Sequence, residues 1–250
     1  MAAAEDEDRE SARSRYRLLA AAFVLLSVAL GLRWRWTREM RPAQDPPAPR
    51  FEFQVAHGQF DGEMRAVAAS RGGDACAVGE RSVIACQGSG VDQSWVSIRP
   101  KEAEVEKVED RPTLHAVTYA DGWYAAGDRG TVLRIAWPSP PGDGTAEREA
   151  SATDRHLRAL VPFAGGPLAV GDGGAALRRR ADGVWESIPT GTDADLLALL
   201  QDPPLAVGRG GAIFSLEVGP SPSGGAVQWI RQASPAREDL VAVTRVGSDV

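Results

Sequence analysis

The chain contains few of the side chains on which catalytic and metal sites commonly depend. Its 250 residues include three His, three Tyr and two Cys. No Ser/His/Asp arrangement and no phosphate-binding loop stand out, and the two cysteines have no neighbouring histidine that would complete a zinc site. We therefore predict that the protein is not an enzyme and that it holds neither a cofactor nor a metal.

Net positive charge is also lacking. The formal net charge is −6. Because contacts with phosphates require a basic surface, this charge argues against a nucleic-acid partner. By contrast, glycine and proline are abundant, with 27 Gly and 17 Pro. Their spread along the chain favours many short strands joined by turns.

The first fifty residues differ in composition from the rest. Residues 1–17 are polar and predict a disordered tail. Residues 18–32 carry no charge and are followed by Arg-Trp-Arg-Trp at 33–36. Fifteen residues are few for a bilayer, which requires about 20, but flanking Arg and Trp side chains extend such a segment into the headgroup layer. We predict a single transmembrane helix over residues 18–36.

Two alternatives for this segment stay open, namely a cleaved signal peptide and a buried core helix. No small-x-small cleavage site follows Leu32, which favours an uncleaved anchor. Four arginines precede the segment and four follow it at 33–41, so they do not set its orientation. Residues 37–50 contain four prolines and predict a stiff linker.

An internal repeat occupies the remaining residues, 51–250. One apolar pattern recurs at intervals of 39 to 50 residues. Its five copies are MRAV (64–67), LHAV (114–117), LRAL (157–160), LLAL (196–199) and LVAV (240–243).

In each of the first four copies, a turn that starts at a glycine follows the apolar pattern. A second glycine comes three residues later, except in the first copy, which has Ser82 there. An apolar run follows every turn. Because a positive φ costs little only for glycine, we attribute these glycines to turn geometry and not to nucleotide binding. The turn glycines are Gly79, Gly127, Gly130, Gly171, Gly174, Gly208 and Gly211.

Aromatic residues form a third landmark. Trp185, Trp229 and Phe53 each precede the next apolar pattern by eleven residues, whereas the second copy has Ala146 in this place. Trp95 precedes the next pattern by 19 residues, so the acidic stretch 101–110 predicts an inserted, solvated loop.

Together these landmarks predict four short strands per copy, which form one antiparallel sheet. A single such sheet cannot bury its faces, so the copies must stack against one another. Small residues in the inner strands let the sheets crowd around an axis, and the outer tryptophan fills the space between neighbours. The predicted fold class is all-β: a β-propeller with about four complete four-stranded blades and an incomplete one.

The repeat resembles a known family. L-x-A-V, then A-V-G-x-x-G-x-[IL]-[LF], then an aromatic near D-G-x-W is similar to the propeller repeats of photosystem II assembly and stability factors, within the Asp-box (BNR-like) propellers. The best copy is AVGDGGAAL at 169–177 followed by DGVW at 182–185, a degenerate Asp box. The resemblance covers about residues 51–250 and implies a propeller that assists assembly by binding proteins.

The two ends of the repeat region predict an unusual ring. Residues 51–55 match an outer strand with no inner strands before it, as closure of a ring by an N-terminal strand requires. The fifth copy stops at Val250, where its second strand should begin. We therefore expect either a truncated sequence or an incomplete ring of four blades plus two loose strands.

The two cysteines lie on consecutive predicted strands of the first copy. If Val78 pairs with Ile84, then Cys76 faces Cys86, and opposed positions of an antiparallel pair suit a disulfide. A disulfide implies an oxidising compartment, which places the N-terminus in the cytoplasm and the propeller on the extracytoplasmic (periplasmic) side. The alternative, two buried thiols in a cytosolic blade, stays open.

The remaining candidates for chemistry are weak. His57, His115 and His156 lie at or near repeat boundaries, where we expect loop or strand-edge residues, not ligands. A sialidase-like enzyme is the best catalytic alternative, and it would combine a tyrosine with a carboxylate and an arginine cluster. The predicted propeller offers only Tyr119 and Tyr124 for this role.

The sequence thus predicts a membrane-anchored propeller that binds an unknown protein partner and acts as an assembly scaffold. Acidic loops and the arginine run 178–180 are expected to shape the contact. The alternative is a glycan-binding or sialidase-like propeller of the bacterial cell envelope. Convergent Tyr, Glu and Arg side chains on one face would favour the alternative, and a shallow face of Ala, Gly and Pro would favour the scaffold.

Overall fold

The structure is a computed structural model that describes residues 62–89, 94–101, 107–137, 144–164, 166–219 and 227–246. The predicted tail, transmembrane segment and linker, together with Phe53, lie outside these ranges. Within the described ranges, no helix is long and apolar enough to cross a membrane.

In the ranges that the structure describes, sixteen strands form four antiparallel sheets, each of four strands consecutive in the chain. The first sheet contains β1 (Met64–Ala69), β2 (Ala75–Gly79), β3 (Ile84–Gln87) and β4 (Val96–Ile98). The second contains β5 (Leu114–Tyr119), β6 (Trp123–Gly127), β7 (Val132–Ala136) and β8 (Thr145–Glu149). The third contains β9 (Leu157–Phe163), β10 (Gly166–Gly171), β11 (Ala176–Arg179) and β12 (Trp185–Ser187). The fourth contains β13 (Leu196–Leu200), β14 (Leu205–Gly208), β15 (Ile213–Val218) and β16 (Val227–Arg231).

The predicted repeat is confirmed at the level of strands. Leu114, Leu157 and Leu196 each begin the first strand of a sheet, and each is fully buried. In each sheet, the residue that begins the first strand lies opposite the glycine that ends the second strand, as Leu157 does with Gly171. The all-β class and the four-stranded unit are therefore properties of the structure.

Successive sheets pack face to face. The first strands lie side by side, with β5 between β1 and β9, and with β13 on the far side of β9. One hydrophobic core lies between each pair of successive sheets. In β6, Trp123 and Ala125 belong to the core shared with the first sheet, and Tyr124 and Ala126 to the core shared with the third. Because both faces of such a strand are covered, its sequence is apolar throughout and does not alternate.

Two of the outer tryptophans, Trp185 and Trp229, fill the spaces predicted for them. Trp185 in β12 packs in the core between the second and third sheets, where its ring meets that of Tyr124 edge to face. Trp229 in β16 packs in the core between the third and fourth sheets. Both side chains are 4% exposed. A tryptophan at this position therefore joins its own sheet to the preceding one.

The glycine turns owe their composition to two different constraints. Gly174 has a φ of +69°, which agrees with the expectation for a turn glycine. Gly171 has a φ of −169°, which any residue adopts, so the expectation of a positive φ is wrong there. A Cβ on Gly171 would lie 1.9 Å from the carbonyl oxygen of His156. Close approach of the backbone excludes a side chain at this position, and the same holds at Gly79, Gly127 and Gly208.

Two details differ from the expected repeat. The fifth copy, 240–243, forms no strand, although the amide of Leu240 donates to the carbonyl of Gly208. A strand needs a ladder partner, and the described residues after 243 supply none. The described part of the acidic insertion contains a short 3₁₀ turn, Val108–Asp110, with exposed side chains.

Candidate functional site

A groove opens at the end of the second sheet where the β5–β6 hairpin turns. Tyr119 ends β5 and Trp123 begins β6, and their rings meet edge to face with centroids 5.2 Å apart. Tyr119 is 42% exposed, whereas Trp123 is almost fully buried. The core therefore holds Trp123 in place, and Trp123 supports a tyrosine ring that solvent can reach.

Charged side chains complete the groove. Arg134 from β7 and Glu147 from β8 lie on one wall beside Trp137, and Asp74 comes from the hairpin turn of the first sheet. The cavity measures about 470 Å³. Glu147 forms an ion pair with Lys101, and the hydrogen bond and charge of this lysine lower the pKa of Glu147. The groove thus combines aromatic rings with fixed charges of both signs.

A second cluster joins the residue types of the sialidase-like alternative, but it is buried between the second and third sheets. Glu149 accepts hydrogen bonds from Arg179 and from the indole of Trp185. The guanidinium of Arg179 lies 5.2 Å from the ring centroid of Tyr124. Burial, followed by the negative charge of Asp121, raises the pKa of Tyr124 to about 12. A neutral and fully buried phenol is poorly suited to attack a substrate.

The arginine run at 178–180, which was expected to shape the contact with a partner, divides between a buried and an exposed environment. Arg179 points into the buried cluster and is 8% exposed. Arg178 pairs with Glu186 across the β11–β12 ladder, and Arg180 pairs with Asp182 at 2.6 Å. Neighbouring carboxylates therefore balance the charge of each arginine in the run.

A third set of polar residues recurs along the face that carries the glycine turns. In the first three sheets, the second residue of the apolar pattern meets the first residue after the turn glycine. In the first sheet Arg65 binds Glu80 at 2.5 Å, and in the third Arg158 binds both oxygens of Asp172 at 2.7 Å. The fourth sheet has Leu197 at the first of these positions, and its turn residue, Arg209, pairs with Asp195 instead.

The second sheet fills these positions with an imidazole and a carboxylate, and the third sheet adds another imidazole. His115 Nε2 lies 2.7 Å from Asp128 Oδ1, and His156 Nδ1 lies 2.8 Å from the same oxygen. The amide of Thr113 donates to Asp128 Oδ2 at 3.1 Å. Burial raises the pKa of Asp128, but the hydrogen bonds from His115, Thr113 and His156 outweigh it, so this pKa lies below its ordinary value.

The structure also locates the other residues singled out from the sequence. Cys76 and Cys86 face each other in the β2–β3 ladder, in the predicted register with Val78 opposite Ile84, and they form a disulfide. Three turn glycines with positive φ, Gly130, Gly174 and Gly211, lie against the backbone of the following copy. His57 lies outside the described residues.

The sequence analysis predicted neither the groove nor the contact of both His115 and His156 with Asp128. Alignment of the copies by their turns offers a partial signal, because it places His115 and Asp128 at the positions of the Arg158–Asp172 pair. Nothing in the repeat pattern marks the contact between His156 and the preceding copy. Comparison with protein-family models, with curated proteins and with solved structures returns no match to this chain.

Proposed function

We propose that this protein is a membrane-anchored β-propeller of the Asp-box type that binds a protein partner and acts as an assembly scaffold. The groove formed by Tyr119, Trp123, Arg134, Trp137 and Glu147 is the surface that we assign to the partner. Its Tyr, Arg and Glu side chains also meet the criterion stated above for a glycan, so the experiment below decides between the two ligands. The groove receives a side chain of the partner, and the sheets serve as the rigid support.

The packing of the sheets supports a propeller arrangement. Equivalent first strands lie side by side, and equivalent tryptophans fill the space between neighbours. When each sheet is rotated by the same angle relative to the one before it, the stacked sheets are arranged around a common axis. The first strands would then lie nearest the axis, and the hairpin ends, including the groove, would form one face.

The disulfide supports a position outside the cytoplasm. Reducing conditions in the cytoplasm keep most thiols free, and a disulfide between Cys76 and Cys86 fits an oxidising compartment. A membrane segment at 18–36 would then leave residues 1–17 in the cytoplasm and the sheets in the periplasm.

The composition of the groove supports recognition of a protein. Tyr, Trp and Arg are enriched among the residues that contribute most to the binding energy of protein interfaces. Tyr and Trp bury large areas with few rotatable bonds, and all three side chains also form hydrogen bonds. Tyr119 is half exposed beside a fixed tryptophan, and Arg134 and Glu147 stand beside it. A partner side chain with an apolar stem and a polar end would meet complementary groups here.

A glycan is the second candidate ligand, and the same groove favours it. Aromatic rings stack on sugar rings, and carboxylate and guanidinium groups bind hydroxyls in fixed directions. The tyrosine, glutamate and arginine that converge in the groove are the residue types expected of a glycan-binding propeller. An experiment must therefore separate the two ligands.

Site-specific photo-cross-linking in bacterial membranes makes this separation. A photoreactive phenylalanine analogue at position 119 is expected to form a discrete protein adduct. The same analogue at Val184, an exposed residue in the β11–β12 turn, serves as the matched control. Purified protein is tested in parallel on a glycan array, as the wild type and as Tyr119→Ala.

An adduct at position 119 that is absent at position 184 supports a protein partner. If no such adduct forms, and if the wild type binds a glycan that Tyr119→Ala does not bind, the groove is a glycan-binding site. If the adducts are the same at both positions and no glycan binds, the groove has neither function.

A further inference from the structure

We propose that His115, Asp128 and His156 form a binding site for a transition-metal ion of the zinc class, which links the second sheet to the third. This site lies on the glycine-turn face and goes beyond the proposed partner binding at the groove.

The geometry of the three side chains suits a metal. One ligand atom from each residue lies within 4.8 Å of the other two. Zinc binds imidazole nitrogen and carboxylate oxygen at about 2.0–2.2 Å, and in a tetrahedral site these distances keep the ligand atoms a little over 3 Å apart. Both imidazole nitrogens already lie within 2.8 Å of Asp128 Oδ1, so small rotations of the rings would admit an ion.

The ligand types select the class of metal. Two imidazoles and one carboxylate suit Zn²⁺, Cu²⁺, Ni²⁺ and Co²⁺, whereas Ca²⁺ and Mg²⁺ prefer sites made of oxygen alone. Three protein ligands also leave a fourth position for water. The side chains are 20%, 28% and 43% exposed for His115, Asp128 and His156, so an ion can enter from solvent.

The surroundings orient the carboxylate. The amide of Thr113 holds Asp128 Oδ2, which leaves Oδ1 directed at the two imidazoles. Hydrogen bonds of this kind to the ligands are typical of metal sites. The nearest cation on β9, Arg158, is paired with both oxygens of Asp172, which reduces its repulsion of an incoming ion.

The other sheets show that a metal ligand set is not required for the fold. In the first and third sheets the same positions hold the Arg65–Glu80 and Arg158–Asp172 pairs. Arginine stays protonated and does not bind metals. The second sheet thus replaces a closed ion pair with groups that have lone pairs for a metal, and His156 of the next sheet adds a third ligand.

Metal titration of the full-length protein in detergent, with an intact disulfide and no histidine tag, tests the site. Isothermal titration with Zn²⁺ is expected to show one bound ion, and Co²⁺ is expected to give a visible absorption band of nitrogen and oxygen ligands. His115→Gln and His156→Gln are each expected to weaken Zn²⁺ binding at least about 10-fold. Their glutamine amides can still donate to Asp128, and unfolding measured in EDTA checks that both variants fold.

Two matched controls separate this site from binding elsewhere. His57→Gln removes the third histidine of the chain, and Glu80→Gln changes the first-sheet counterpart of Asp128. Both are expected to bind Zn²⁺ as the wild type does. The proposal is wrong if the wild type binds neither Zn²⁺ nor Co²⁺. It is also wrong if the double variant, His115→Gln together with His156→Gln, binds Zn²⁺ as tightly as the wild type does.

Discussion

Arg179 in β11 binds Glu149 in β8 with two hydrogen bonds, both 2.9 Å long, across the boundary between the second and third sheets. The two residues are 8% and 17% exposed at their side chains. The indole of Trp185 donates a third hydrogen bond to the same carboxylate at 2.7 Å. This partly buried ion pair therefore joins one repeat unit to the next, beside the apolar core that the two sheets share.

Loss of Arg179 leaves a largely buried carboxylate with the indole of Trp185 but without its cation. Removal of one partner of a buried pair typically costs about 3–5 kcal/mol. We expect Arg179→Met to lower the free energy of unfolding by about 3 kcal/mol, measured by urea denaturation. Arg178→Met, which removes a more exposed cation of the same strand, is the control and is expected to cost less than about 1 kcal/mol. Equal losses in the two variants would contradict a special role for the Arg179–Glu149 pair.

The disulfide is expected to stabilise the first sheet. On the chain-entropy estimate, a loop of this size contributes roughly 2–3 kcal/mol. Cys76→Ala together with Cys86→Ala, which places no hydroxyl in the apolar core around these residues, is therefore expected to lower the free energy of unfolding by about that amount. The wild type in reducing buffer is expected to behave like the double variant, which itself is expected to be insensitive to the reductant. An unchanged denaturation midpoint on reduction would show that the bond contributes nothing.

Gly171 tests the close approach of the backbone. Its Cβ would lie 1.9 Å from a carbonyl oxygen, so Gly171→Ala forces the backbone apart and is expected to cost roughly 3 kcal/mol or more. Gly191 has a φ of +70°, and no atom of the described residues lies within 4 Å of the place that an added methyl group would take. Gly191→Ala is therefore expected to cost only about 1 kcal/mol. Thermal unfolding of the two variants compares them directly. Similar losses of stability in the two variants would contradict the claim that the close backbone contact at Gly171 requires glycine there.

The raised pKa of Tyr124 leads us to expect a loss of stability in alkaline solution. Burial and the charge of Asp121 raise its folded-state pKa from 10.0 to about 12. Between these values the phenol ionises in the unfolded chain while it stays protonated in the folded one, so the free energy of unfolding falls as the pH rises through this interval. Below it the phenol is protonated in both states and contributes no pH dependence.

Tyr124→Phe removes this titration. Phenylalanine keeps the buried ring and removes only the hydroxyl, so the variant is expected to match the wild type at neutral pH within about 1 kcal/mol. Between about pH 10 and 12 the variant is expected to become the more stable of the two, as measured by urea denaturation. Parallel curves for the two proteins over that interval would contradict a raised pKa at Tyr124.

The repeat unit could be predicted from sequence because its physical causes are local and recur. Leu114, Leu157 and Leu196 mark equivalent buried positions, and each second strand ends at a glycine where the backbone leaves no room for a side chain. The sequence also predicted that Cys76 lies opposite Cys86, because pairing across one tight turn fixes the register of the two strands.

Contacts between sheets could not be predicted in the same way. Arg179 and Glu149 are 30 residues apart, and Asp128 and His156 are 28 apart. Whether such residues meet depends on how one sheet lies on the next, which no single repeat encodes. The arginine run at 178–180 is an example. Arg179 pairs with Glu149 of the preceding sheet, whereas its chain neighbour Arg180 pairs with the exposed Asp182.

Methyl-labelled nuclear Overhauser spectroscopy of the full chain tests the central claim that equivalent sheets stack in order through their first strands. We predict that Leu114, Leu157 and Leu196 each show cross-peaks to the second strand of the preceding sheet, at Val78, Ala126 and Val170 respectively, because each pair belongs to one core and these strands lie against each other. If the cross-peaks of these three leucines stay within their own sheets, or join sheets that are not successive, the stacked arrangement is contradicted.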